Sequence, residues 1–455
     1  MTEPSLRKRI WGWFFFDWAS QPYHTLLVTF IFGPYFASVA TLYFADTGLD
    51  EEAADAQAQS LWSFGLMISG LIVGFGGPVM GALADASGRR MPWIAFFSVL
   101  YVAGAAALWF VLPDGSNLWF GLVAFGVGFI GAEYALIFTN AQLPTLGDKD
   151  EIGKISGTGF AFGYFGGLMA LILALLVFVE QADGKTLIGL SPPFGLSPDA
   201  KEGTRFVGPM VALWFAAFMI PYFLWVREKR AATQGPRVGE ALGRLGRTIR
   251  DLPKRPSLAS FLGGSMLYRD GLNGFYGFGG TYAVLVLDWE VPQIGLFGIV
   301  SVISAMALSW IGGRLDYRFG PKPVIVAAVL LLSGVSLVVG FMDRTMIFGI
   351  PLPEGSILPD IVFMACGVLI GGLGGITQAA SRSLMVRHTT PETATEAFGL
   401  FGLAGRATSF LAPALIGMFT LWTGSARLGI LPVFALFILG LLLLRWTHPD
   451  GDRNS

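Results

Sequence analysis

The sequence is poor in the residues that build cross-links, metal sites and water-soluble surfaces. It has a single cysteine, Cys366, in 455 residues, which excludes an internal disulfide and a Cys-rich zinc site. Its three histidines, His24, His388 and His448, are far apart, which argues against a His-based metal site. Charged residues make up only 13% of the chain, whereas a soluble domain carries roughly 25%. The polar surface is therefore too small for a soluble globule of this length.

Nucleotide-binding motifs are also missing. The sequence has no G-x-x-x-x-G-K-[ST] phosphate loop and no dinucleotide fingerprint after a strand. We therefore expect that ATP does not drive the protein through a domain of its own. We also expect that the protein is not an enzyme and has no cofactor or metal. Membrane topology accounts for the basic loops, as described below, so no nucleic-acid partner is expected.

What the sequence has in abundance is long apolar segments. A membrane-spanning helix needs about 20 mostly apolar residues, and the hydrophobic fraction is 54% with a mean hydropathy of +0.63. The pattern predicts twelve spanning helices, near 12–44, 60–84, 92–112, 117–140, 155–180, 206–226, 257–287, 292–313, 323–342, 359–380, 394–420 and 427–446. The first is too long for a signal-peptide core, so we interpret it as a retained helix. None has the alternating polarity of barrel strands.

Lysine and arginine are concentrated on one side of these predicted helices, the side that holds the N-terminus. Because such residues favour the cytoplasm, we expect an inner-membrane protein with both termini cytoplasmic. The longest basic segment, 227–256, predicts a division into a six-helix bundle (1–226), a linker (227–256) and a second bundle (257–455). Within the linker, 238–252 has helical apolar spacing, which fits either a surface helix or a solvated linker.

A loop motif occurs twice, after the second and the eighth predicted helices. Both copies have the pattern small-x-x-Leu-x-Asp-x-x-Gly followed by a base. Glycine suits such a tight reversal, and the acid is suited to a nearby helix N-terminus. The residues of the two copies are Gly81, Asp85, Gly88, Arg89 and Arg90 in the first, and Gly313, Asp316 and Gly320 in the second.

The motif, its two positions and the helix count resemble the major facilitator superfamily, over the whole chain. Segments such as NAQLPTL and ISGTGFAFGYFGG further resemble the vacuolar effluxer (autophagy-related) branch and its bacterial relatives. The resemblance implies an all-α membrane protein with two six-helix bundles and a gating role for the two loops. It also implies transport by alternating access, and the fungal branch is associated with amino-acid efflux.

Ionisable residues inside the membrane are costly and indicate function. Asp17, Gln21 and His24 share a face of the first helix. We interpret Gln21 and His24 as cavity residues. For Asp17, a place in the cavity and an interfacial place beside the N-terminal arginines are both open.

Glu133 in the fourth helix is the leading candidate for proton coupling, and Asn140 lies on its face. A structural ion pair of Glu133 with Arg269 or Arg406 is the alternative. Asp17 and Asp270 are further candidates for the coupling site.

The second half of the chain offers cationic and polar groups. Arg269, Asn273 and Tyr276 share a face of the seventh helix, and either Arg269 or Arg406 is a candidate anchor for a substrate carboxylate. Charge compensation for Glu133 or Asp17 is the alternative role. Gln378, Ser381 and Arg382 form either an inner gate or a helix end that meets water.

We therefore predict a secondary transporter of a small polar solute, with an amino acid or similar zwitterion favoured and symport or antiport with protons. An uncoupled facilitator and a receptor or scaffold of the same fold are the alternatives. The expected partners are the solute, protons and the lipid bilayer, and the chain is expected to act as a monomer.

Overall fold

The computed structural model describes residues 4–181, 183–228, 238–289, 291–425 and 427–452. Helices dominate this part of the chain. They are α1 Leu6–Pro22, α2 Phe32–Asp46, α3 Glu51–Ser87, α4 Met91–Ala107, α5 Leu118–Asn140, α6 Glu151–Leu173, α7 Glu202–Trp225, α8 Val238–Asp251, α9 Pro256–Leu287, α10 Val291–Phe319, α11 Pro321–Gly340, α12 Leu358–Arg387, α13 Ala394–Ala407, α14 Leu411–Thr423 and α15 Leu431–Leu444. A short antiparallel hairpin pairs β1 Met346–Ile347 with β2 Ile350–Pro351.

The helices confirm an all-α membrane protein. Ten helical segments in the described ranges are long and apolar enough to cross a bilayer. The 32-residue α9 and the shorter apolar helix Leu428–Leu444 bring the number of spans to twelve. Between the sixth and seventh spans, α8 lies within the predicted linker, where Leu245 is buried.

Two of the spans are interrupted. The first passes from α1 into a π-helical stretch, Tyr23–Phe30, and resumes as α2. Pro22 ends α1, and the wider π-helical winding changes which side chains share a face. The eleventh span breaks at residues 408–410, between α13 and α14. Pro413 in the first turn of α14 has no N–H to bond back across that break.

The chain forms two compact units. Unit 1 comprises residues 1–77, 87–139 and 162–235, and unit 2 comprises residues 78–86, 140–161 and 236–455. Unit 2 therefore includes, besides the second half of the chain, one end of α3, the segment that joins α5 to α6 and the first part of α6. Our division into 1–226, 227–256 and 257–455 describes sequence halves and stays a prediction.

Aromatic contacts build the interior of unit 1. Tyr101 of α4 stacks on Phe215 of α7 with ring centroids 3.8 Å apart. Trp13 is fully buried and donates from its indole nitrogen to the Thr139 carbonyl at 2.9 Å. Such rings supply large packing area with a satisfied polar tip. The Tyr101 stack holds α4 against α7, and the Trp13 hydrogen bond holds α1 against α5.

Small residues build close helix contacts in unit 2. A Cβ added at Gly157 of α6 would lie 2.5 Å from the Cα of Gly313 of α10. Likewise, a Cβ at Gly371 of α12 would lie 2.2 Å from the Ser301 carbonyl oxygen. Glycine lets membrane helices approach this closely, so these two contacts bring polar groups on α6, α10 and α12 within reach of one another.

Candidate functional site

The acid in unit 1 pairs with an imidazole. Glu133 of α5 is 8% exposed, and its Oε1 lies 3.6 Å from Nε2 of His24. His24 sits in the π-helical stretch, half-buried, with its ring edge-to-face against Phe129. The structure therefore brings together two residues that the sequence marked separately, and it offers Glu133 a partner other than Arg269 or Arg406. This distance is too long for a direct hydrogen bond, and the two groups form an ion pair when the imidazole is protonated.

Asp17 and Gln21, the other two polar residues predicted to share the helix face of His24, pack against α6. Asp17 is 8% exposed, and Gly163 approaches its backbone and Cβ closely. The Gln21 side chain lies against Gly167, one turn further along. Both glycines lie on α6, and their lack of a side chain leaves room for Asp17 and Gln21 of α1.

Arg269 of α9 lies on α13. Its guanidinium sits 4.6 Å from the centre of the Phe401 ring and donates from Nη1 to the Phe401 carbonyl at 3.1 Å. Gly405 makes room for it, because a Cβ there would lie 2.3 Å from the guanidinium carbon. Arg406 lies in the last turn of α13, so one candidate anchor packs on the helix that carries the other.

Asp270, the neighbour of Arg269, caps the broken span. It is 1% exposed, and its Oδ2 accepts from the backbone N–H of Ala412 at 2.9 Å. Ala412 is in the first turn of α14. The neighbouring Leu411 N–H donates instead to the Thr408 carbonyl at 2.7 Å. The other carboxylate oxygen, Oδ1, is buried without a hydrogen-bond partner in the described part of the chain. Asp270 thus stabilises a helix start within the membrane.

Tyr276 and Gln378 lie near each other in unit 2. The Tyr276 hydroxyl packs on Gly374 of α12, where a Cβ would lie 2.1 Å from it. Gln378 follows Gly374 by about one turn and is half-buried. Asn273 and half of Tyr276 are exposed, so the α9 face that carries them is not covered within the unit.

The acid of the first loop motif caps a helix. Thr395 donates from its hydroxyl to Asp85 Oδ1 at 2.6 Å, and the backbone N–H of Glu396 donates to Oδ2 at 2.9 Å. Both donors lie in the first turn of α13, where a negative charge is favourable. Gly81 allows the approach, since a Cβ there would lie 2.5 Å from the Thr395 carbonyl oxygen.

The second copy of the motif occupies an analogous place. Asp316 is 1% exposed and lies against Gly153 in the first turn of α6. Gly88 and Gly320, which close the two loops, have φ angles of 63° and 82°, a region that glycine adopts readily. The two copies thus place their acids beside the starts of α13 and α6. We call the side of the molecule that carries these loops the signature face.

Basic residues of the first copy differ in burial. Arg89 is exposed, whereas Arg90 is 8% exposed. Glu228, just after α7, accepts from the backbone N–H of Arg90 at 2.6 Å and lies 4.0 Å from its guanidinium. Glu228 was not predicted as a functional residue, because no spacing in the sequence relates it to the loop.

Arg382 forms a buried network in unit 2. The guanidinium is 2% exposed and donates to Ser156 Oγ at 2.9 Å, to the Ser156 carbonyl at 2.8 Å and to Asn140 Oδ1 at 3.0 Å. It also lies 4.2 Å from the centre of the Phe160 ring. Ser381 is fully buried as well. The end of α12 therefore packs in protein, and the Asn140 amide oxygen is engaged there.

The C-terminal segment packs against the start of α9 in unit 2. Asp452 accepts from the first backbone amides of α9, at Ser257 and Leu258. Burial lowers the pKa of His388, so its ring is neutral near pH 7. Its Nδ1 faces the Leu384 carbonyl at 2.9 Å and must donate, which leaves Nε2 to accept from the Ser257 hydroxyl.

A cavity of about 250 Å³ opens beside His388. Its polar lining includes Arg255 and a cluster of threonines from 389 to 393, which hydrogen-bond to one another. None of the candidate substrate residues is among the residues that line it. Among the described residues, no cluster of three or more His, Cys, Asp or Glu side chains is arranged to hold a metal ion.

The similarity to known families extends over nearly the whole chain. Residues 5–454 match the family described as "Vacuole effluxer Atg22 like". An uncharacterized MFS-type transporter of Bacillus subtilis, YxiO, is 25% identical over 450 residues, which cover 97% of this chain and 95% of the relative. Autophagy-related protein 22 of Cryptococcus neoformans is 24% identical over 311 residues, 66% of this chain and 51% of the fungal protein. The chain therefore spans about half the length of that fungal relative.

Solved structures share the fold. The Escherichia coli fucose:proton symporter FucP superposes with a TM-score of 0.69 at 16% identity, covering 97% of both chains. The proton:xylose symporter XylE gives a TM-score of 0.72 at 12% identity, covering 98% of both chains. The human organic anion transporter MFSD10 gives 0.68 at 16% identity, covering 97% of this chain and 100% of that one. At these identities the likeness concerns the fold alone.

Proposed function

Because the chain belongs to the Atg22-like family of major facilitator superfamily transporters, we propose that it is a proton-coupled secondary transporter of a small zwitterion, with an amino acid as the leading candidate. The observation that carries the proposal is the Glu133–His24 pair, held 3.6 Å apart on two membrane helices of unit 1. Ionisable groups are costly at such depth and are retained for function. We place the protein in the inner membrane with the signature face in the cytoplasm.

The substrate class is inferred from unit 2. A guanidinium binds carboxylates with two parallel hydrogen bonds. Arg269 of α9 packs on Phe401 of α13, and Arg406 lies in the last turn of α13. Tyr276 and Gln378 add neutral polar groups near by. This set suits a compact molecule with a carboxylate and little apolar surface.

The signature face supplies the proposed gate. The contacts of Asp85 with α13 and of Arg382 with Ser156 join residues from the first half of the chain to helices of the second half, within unit 2. A carrier that works by alternating access must break such contacts once per cycle. We propose that these contacts close the cytoplasmic side, with Gln378 next to them.

The test is flux into liposomes. The purified protein is reconstituted in vesicles, and uptake of labelled amino acids is measured with and without a pH gradient. Uptake that rises with the gradient supports the proposal. Flux indifferent to the gradient would favour a facilitator, and no flux under any condition would favour a receptor or scaffold.

Glu133→Gln tests the coupling role. The amide keeps the size of the side chain and cannot release a proton, so we expect gradient-driven accumulation to be lost while substrate counterflow continues. Glu354→Gln, at an exposed loop position, is the matched control and should retain both activities. Equal loss of accumulation and counterflow in Glu133→Gln would contradict the coupling role.

A further inference from the structure

Two loops that follow odd-numbered spans, whereas the signature loops follow even-numbered ones, carry large apolar side chains that the protein leaves uncovered. The first outer loop, residues 183–201, joins the fifth span to the sixth. The second outer loop, residues 341–357, joins the ninth span to the tenth. Each belongs to a different unit. Exposed apolar clusters of this kind mark an interaction surface.

The first outer loop folds back along the helix that precedes it. The backbone N–H of Leu187 donates to the Leu175 carbonyl at 3.3 Å, and Leu175 lies inside the apolar span Glu151–Phe178. The loop therefore returns to the depth of the last turn of that span. At this depth its side chains are exposed, with Leu187 at 59%, Ile188 at 54% and Leu190 at 60%.

The backbone of this loop is suited to an apolar surrounding. The Thr186 N–H donates to the Leu190 carbonyl at 2.7 Å, and the Gly189 N–H donates to the Thr186 carbonyl at 2.8 Å. Polar backbone groups in lipid need such internal partners. The turn thus exposes apolar side chains while these backbone N–H and carbonyl groups pair with each other within the turn.

The second outer loop has the same properties in unit 2. The Phe348 ring stacks on Phe341 with centroids 6.0 Å apart, and the Phe348 N–H donates to the Phe341 carbonyl at 2.7 Å. Phe341 directly follows α11, so this contact keeps Phe348 at the end of the ninth span. Ile350 and Ile357 are each 68% exposed, and the β1–β2 pairing satisfies the hairpin backbone.

Both loops hold a phenylalanine in a left-handed backbone conformation. Phe194 has φ 62° and Phe348 has φ 50°, and each is followed by a glycine of positive φ. Bulky side chains rarely adopt this conformation, and such outliers suggest a functional constraint. Phe194 is 85% exposed and Phe348 54% exposed, so packing of these rings within the protein does little to offset the strain of the backbone conformation.

We propose that the two outer loops are lipid anchors, in which apolar side chains led by Phe194 and Phe348 enter the bilayer leaflet on the side opposite the signature face. Lipid is the occupant that fits the depth of Leu187, the self-satisfied backbones and the repetition of the arrangement in both units. Removing large apolar side chains from water is favourable in proportion to the apolar area covered. Each unit would thereby keep its depth fixed while its helices tilt.

The test is the depth of spin labels. On a Cys366→Ala background, single cysteines replace Ile188, Phe194, Phe348 or Ile350 and carry a nitroxide. The protein is reconstituted in vesicles of phosphatidylethanolamine and phosphatidylglycerol. Oxygen concentrates in lipid and a neutral nickel chelate in water, so we expect oxygen to relax these four labels several-fold more than nickel does.

Matched controls lie in the same loops. Labels at Asp199 and Glu354, both exposed, should be relaxed mainly by the nickel chelate. The proposal is overturned if the four apolar sites respond to nickel as these controls do, since the loops would then stand in water. It is equally overturned if the four sites are shielded from both reagents, because a protein partner or a second copy would then cover them. Ile188 and Ile350 keep the test independent of the left-handed positions.

Discussion

Arg382→Ala is expected to lower the free energy of unfolding by about 3 kcal/mol, because the guanidinium is buried and a charged hydrogen bond is worth about 1.5–3 kcal/mol. Its removal leaves Ser156 and Asn140 without the donors that they have in unit 2. The void of a buried side chain adds to the loss. Thermal unfolding of the purified protein in detergent measures the effect.

Two further variants serve as an intermediate case and a control for this prediction. Arg382→Lys keeps the charge but has no planar fork, so we expect a loss of stability between wild type and the alanine variant. Arg445→Ala removes an exposed arginine beyond α15 and should unfold as wild type does. If Arg382→Ala and Arg445→Ala unfold at the same temperature, the buried network does not hold these segments together.

Asp270→Ala is expected to cost about 2 kcal/mol of stability, the upper range for the loss of a helix-capping acceptor, and to reduce transport with it. The carboxylate caps α14 inside the membrane, where water is a poor substitute partner for the freed amide. Unfolding in detergent and substrate counterflow in vesicles are the two measurements.

Asp270→Asn separates capping from titration. Its amide oxygen can still accept from Ala412, so the unfolding temperature should stay close to that of wild type. Its transport then reports whether the proton of Asp270 is needed, since asparagine cannot ionise. Equal unfolding temperatures for the alanine and asparagine variants would show that the Ala412 hydrogen bond does not stabilise α14.

The number of spans was predictable because length and apolarity alone decide whether a helix can cross lipid. Breaks inside the spans were harder to predict. Pro22 marks the end of α1 and Pro413 the restart at α14, yet a proline does not reveal whether a span bends, unwinds or continues. The break at 408–410 was missed for this reason, and with it the capping role of Asp270.

The candidate site was predictable only along single helices. Helical spacing predicts that Asp17 and Gln21 share a face, and both lie against the glycines of α6. Partners on other helices depend on packing that no local pattern encodes. The Glu133–His24 pair and the contact of Arg382 with Ser156 are of this kind. Family membership and the fold are confirmed, while the solute, the coupling ion and the residue roles stay predictions.

Transport by alternating access requires the contacts at the signature face to open during each cycle. Asp150 and Arg387 lie there within unit 2, 3.4 Å apart at their charged ends, and both can be replaced by cysteine on the Cys366→Ala background. Cross-linking the two cysteines with a reducible bis-methanethiosulfonate should lower vesicle uptake to the level of protein-free vesicles. Cleaving the cross-link with a reductant should restore uptake. The single-cysteine variants should stay active under the same reagent. Uptake that continues unchanged through the cross-link would contradict the account.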